Sequence, residues 1–75
     1  MEELIKLLEE IRPEIDFRTN NSLIDGGLLT SLDIVSVITE ISGVFDVTIP
    51  PLEITPENFN SAEALYALIS KLTDE

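Results

Sequence analysis

Asp25-Gly26-Gly27-Leu28-Leu29-Thr30-Ser31-Leu32-Asp33-Ile34-Val35 is the stretch on which the fold turns, because an irregular segment ends inside it and a helix begins. The glycine pair lets the backbone turn tightly. Thr30, with Asp33 three residues on, makes a capping-box arrangement, in which two side chains satisfy N–H groups that a helix start leaves open. Beyond it Ile34, Val35, Ile38, Ile41 and Phe45 form one apolar stripe, while Asp33, Ser36, Glu40 and Gly43 follow a second face. That spacing predicts a central amphipathic helix starting near Ser31.

Working outward, Leu4, Ile5, Leu7, Leu8 and Ile11 predict a first helix over residues 2–12, stopped by Pro13. Residues 13–30 lack periodicity yet keep Ile15, Phe17, Leu23, Ile24, Leu28 and Leu29, which predicts a long loop pinned across the core. Residues 44–49 are apolar and β-branched, but they run straight into Pro50-Pro51 and read as a helix end and connector. Thr55 before Pro56 predicts a short helical turn through Phe59. Asn60, with Glu63 three residues on, reads as a capping box for a last helix that buries Ala62, Leu65, Leu68, Ile69 and Leu72, with Tyr66 beside them. The expectation is a single all-α domain over residues 1–75, a four-helix bundle with a long first loop and a short third helix.

Composition narrows the function. The 75 residues include no Cys and no His, which removes disulfides, thiolate or zinc sites and the usual neutral-pH general base. No catalytic residue and no metal ligand can be named. Asp16, Asn20, Asn21 and Asp25 invite a calcium-loop reading, but Arg18 falls at its third position and Gly is missing from its sixth. Glu9-Glu10 reads as a solvated helix face. A formal net charge of −11 repels nucleic acid and anionic lipid, and it suits a protein partner with a basic docking surface. With no long apolar run and an acidic Met1-Glu2-Glu3 start, the expectation is a cytoplasmic chain without membrane insertion.

Ser31 remains. An isolated Ser before a helix is ordinarily a cap. If Thr30 caps, however, Ser31 takes the first helical position with its hydroxyl free, and an anion attached there would meet open N–H groups and the positive end of the helix dipole.

In this setting the chain resembles the acyl carrier protein family. The likeness runs through the acidic first helix, the loop, the approach to Ser31, Phe45-Asp46-Val47-Thr48-Ile49-Pro50 and the last helix. Members are four-helix bundles whose serine, at the head of the second helix in an Asp-Ser-Leu motif, carries 4′-phosphopantetheine; here the motif reads Thr30-Ser31-Leu32. The resemblance implies a monomeric, non-catalytic carrier. Ser31 would receive the arm from a phosphopantetheinyl transferase, cargo would ride on it as a thioester, and Leu32, Asp33, Ser36 and Glu40 would face partner enzymes.

The chain is also similar to the D-alanyl carriers of cell-wall modification, in Asp25-Gly26-Gly27-Leu28-Leu29-Thr30-Ser31 and in Pro56-Glu57-Asn58-Phe59-Asn60-Ser61-Ala62. That likeness implies aminoacyl cargo and an adenylating ligase, where a fatty-acid carrier would serve acyltransferases and synthases. Thr30 departs from the family's Asp, and Ser36, Ser42 and Gly43 stand where fatty-acid carriers often have acidic residues. These departures leave open an alternative, a carrier-like interaction domain that is never modified.

Overall fold

Leu4, Ile5, Leu7 and Leu8 are buried along one side of α1 (Glu2–Ile11), the first of four helices in a computed structural model that describes residues 1–73. α2 (Ser31–Phe45), α3 (Pro56–Phe59) and α4 (Ala62–Thr73) follow, with a 3-10 turn at Pro51–Glu53 ahead of α3. α1 packs on α2 and α4, and α3 packs on α4. No strand forms among the described residues, so the all-helical bundle is as the periodicity implied. α1 ends one residue sooner than expected: Arg12 is its C-cap with φ −137, the extended backbone that a following Pro13 imposes.

The first loop crosses the interior. Ile15, Phe17, Leu23 and Leu29 are buried in it, and Ile24 and Leu28 are half-buried. Its turn is built as the glycine pair suggested. Gly27 has φ +72, and Gly26 donates its N–H to the Ser22 carbonyl at 2.7 Å, an approach so close that a Cβ at Gly26 would lie 2.6 Å from that oxygen. Leu28 and Leu29 then both donate N–H bonds of 3.0 Å to the Leu23 carbonyl, which fixes the approach to α2.

Two sequence readings need correction. Val35, placed on the buried stripe of α2, is 60% exposed, and Val37 is buried in its stead. The stripe that faces the core is Ile34, Val37, Ile38, Ile41 and Phe45, the i, i+3, i+4, i+7, i+11 series, and Val35 lies about 100° round the helix from Ile34. Asn60 does not cap α4. Ser61 does, accepting the Ala64 N–H at 3.0 Å, which leaves Glu63 out of register for a capping box. The short α3 is capped as expected, with Thr55 Oγ1 accepting the Asn58 N–H, and residues 47–50 form an irregular connector after Asp46 ends α2 in the left-handed conformation.

Candidate functional site

The head of α2 is set by a complete capping box. Thr30 Oγ1 accepts the Asp33 N–H at 3.2 Å, and Asp33 Oδ2 accepts the Thr30 N–H at 2.9 Å. With Thr30 as the cap, Ser31 occupies the first helical position and is exposed. Its N–H and that of Leu32 have no carbonyl one turn back to bond. The hydroxyl is therefore accessible to another protein, and the adjacent N–H groups and helix dipole favour negative charge.

Asp33 reaches further than its own helix. Oδ2 also accepts from Nη1 of Arg12, whose Nε donates to Glu14 at 2.8 Å. The Thr30 backbone N–H, followed by the Arg12 guanidinium, holds the Asp33 carboxyl below the usual carboxylate range, against an opposing push from partial burial. A carboxyl whose folded pKa lies below its unfolded one adds stability that is complete above the unfolded value of about 3.9 and is lost as pH falls through the folded value. Wild type should thus exceed Asp33→Asn in stability at neutral pH, and the gap should shrink as pH falls below about 4. Urea unfolding of the pair at three pH values checks this. The difference cancels the general relief of self-repulsion on acidification, and a gap that ignores pH would contradict the assignment.

Of the residues expected to face partners, Leu32 is 79% exposed, and Ser36 and Glu40 are exposed. Asp33 instead turns its carboxylate to Thr30 and Arg12. Since Asp33 and Glu40 are the charged residues of α2, the solvent side of this helix is dominated by Leu32, Val35, Ser36, Thr39, Ser42 and Gly43. The acidity is concentrated elsewhere, and α2 offers apolar and hydroxyl groups, not a carpet of carboxylates. Leu52, at the 3-10 turn, is 91% exposed and was not anticipated; a lone apolar residue between Pro51 and Glu53 gives no periodic signal.

One helical turn beyond Ser31, Ile34 lines an apolar cavity of about 140 Å³ together with Ile24, Ile54, Thr55, Pro56 and Phe59. Among the described residues no group of acidic side chains is arranged to hold a metal ion, and no helix is long and apolar enough to cross a membrane.

Asn60 was missed as a positioning residue. Its Oδ1 accepts N–H bonds from Ile24 and Asp25, each 3.0 Å, its Nδ2 donates to Asp25 Oδ2 at 3.0 Å, and its carbonyl accepts from Leu23 at 2.9 Å. One residue at the end of α3 thus pins the loop that leads to Ser31.

No protein-family model matches the chain. Individual proteins do. It is 32% identical over 76 residues to a D-alanyl carrier protein of Lactococcus lactis subsp. cremoris, an alignment covering 99% of this chain and 96% of that protein. It is 41% identical over 63 residues to aminoacyl carrier protein 1 of Bradyrhizobium diazoefficiens, covering 84% and 69%. A D-alanyl carrier protein of Streptococcus mutans is 30% identical over 71 residues, covering 93% and 90%. An all-helical bundle with an accessible serine at the head of its central helix, matched nearly end to end by such proteins, belongs to the acyl and aminoacyl carrier protein family.

Proposed function

We propose that the protein carries an aminoacyl group on a 4′-phosphopantetheine arm attached to Ser31 and presents it to partner enzymes, itself catalysing nothing. The observation that carries this is the exposed Ser31 at the first position of α2, freed from capping by Thr30. Attachment joins Ser31 Oγ to the phosphorus beside the pantetheine of coenzyme A. The bond from that phosphorus to the bridging oxygen breaks, adenosine 3′,5′-bisphosphate leaves with that oxygen, and the Ser31 proton passes to a base of the transferase. The chain contains no His to act as that base, so the transferase supplies it. Once attached, the arm supplies the thiol on which cargo is held as a thioester. Ser31 and Leu32 would turn their open N–H groups toward the phosphodiester.

Aminoacyl cargo is favoured by the names of the relatives and by the cavity beside Ile34. An apolar cavity near 150 Å³ accepts a molecule the size of benzene, so about 140 Å³, open to solvent on one side, suits a small side chain. Leu32, Ser36 and Glu40, with Val35 beside them, would form the face that meets an adenylating ligase and the transferase.

Incubation with coenzyme A and a broad-specificity phosphopantetheinyl transferase should add the mass of one arm to the wild type. Ser31→Ala should abolish the addition, while Ser42→Ala should keep it. Unchanged wild-type mass with every transferase tried would favour the unmodified interaction domain.

A further inference from the structure

Four basic residues serve the whole chain, and Arg12 is placed where it touches the head of α2. The placement is rigid at both ends. Its backbone N–H is tied to the Leu8 carbonyl at 2.9 Å, Pro13 holds it out of the helix, and its guanidinium bridges Glu14 and Asp33. The atom it grips, Asp33 Oδ2, is the same atom that accepts the Thr30 N–H. A capping carboxylate on an open helix end is free to leave for water. Here it is 15% exposed and held from the far side by a residue 21 positions away.

We propose that Arg12 is a positioning residue for arm attachment: by holding the Asp33 carboxylate in the capping box, it keeps the first turn of α2 wound and the Ser31 hydroxyl in the geometry the transferase accepts. This rests on Ser31 being the attachment site. Arg12 acts through Asp33 and touches neither coenzyme A nor the reacting oxygen. Without it the wound turn becomes a fraction of the population, and apparent affinity for the transferase falls by that fraction.

The test is steady-state arm transfer to full-length apo-protein. Arg12→Gln should raise the KM for the carrier about fivefold and leave kcat unchanged, because the wound fraction reacts normally. Arg12→Lys, which keeps a donor for Asp33, should recover part of the loss. Arg18→Gln is the control, since Arg18 makes a comparable pair with Glu2 on the exposed surface, 2.6 Å from Nη2 to Oε2, at the opposite end of α1 from Arg12; it should leave KM unchanged. Asp33→Asn should match Arg12→Gln, and the double variant should be no worse than either alone.

A second readout needs no transferase. Hydrogen exchange of the Thr30 amide should quicken in Arg12→Gln and stay as in wild type in Arg18→Gln. Wild-type KM and wild-type Thr30 exchange in Arg12→Gln would overturn the proposal. So would an Arg12→Gln effect undiminished in the Asp33→Asn background, which would place Arg12 against the transferase itself. Failure of the wild type to take the arm would instead remove the reading of Ser31, and the Thr30 exchange would still report whether Arg12 orders the turn.

Discussion

Phe59→Ala is expected to lower stability by about 3 to 5 kcal/mol, the cost of emptying a large aromatic site in a packed core. Phe59 is 1% exposed and is the buried residue of α3, a four-residue helix too short to hold itself together. A domain of this size has a total stability of roughly 4 to 11 kcal/mol, so the variant should lose much of its helical circular dichroism at low urea or on mild warming. Phe59 also lines the apolar cavity beside Ile34, and its removal would enlarge that space toward the centre of the molecule. Phe59→Leu, which refills most of the volume, should restore most of the loss. An unfolding free energy for Phe59→Ala, extrapolated from urea, within about 1 kcal/mol of wild type, a margin on the order of the extrapolation error, would show that the ring is not part of the core.

Asn60→Ala is expected to cost about 2 kcal/mol, since it leaves the Ile24 and Asp25 N–H groups without their acceptor and Asp25 without its donor. For a domain of this length that is a fall in Tm of about 10 °C. Only part of the damage should be global. Leu23, Ile24 and Asp25 amides should exchange faster than those of α1, and the loosening should pass to Leu28 and Leu29, whose N–H groups depend on the Leu23 carbonyl. Asn60→Asp tests the polarity of the lock. It keeps an acceptor for both N–H groups but sets a second carboxylate against Asp25, and it should be no better than Ala at neutral pH. Uniform exchange across the chain in Asn60→Ala would mean that Asn60 does not act on the loop in particular.

These two residues mark where sequence reasoning succeeded and where it stopped. Phe59 follows a Thr-Pro start and falls at the end of the turn that start predicts, so its element was legible from local rules. Leu4, Ile5, Leu7 and Leu8 were legible for the same reason, one helix carrying one stripe. Thr30 and Asp33 formed the capping box that their spacing announced, and Ser31 came to the position that spacing gives it.

Val35 and Val37 were confused because α2 is apolar on more than one side: Ile34, Val35, Val37 and Ile38 crowd a single turn and point in different directions around it. The bonds of Asn60 to Ile24 and Asp25 span 36 and 35 positions, and the Arg12–Asp33 pair spans 21. No periodicity encodes pairings of that range. Asn60 had a plausible local use as a cap, and Ser61 took it.

Among the described residues no polar or charged side chain is buried. Hydrocarbon contacts have no direction, so an interior composed of them alone tolerates many fillings of equal volume. What singles out one arrangement is the perimeter: a few latches that join distant segments by geometry instead of oiliness. Substitutions can then accumulate inside while the outline persists, provided the latches or their equivalents stay.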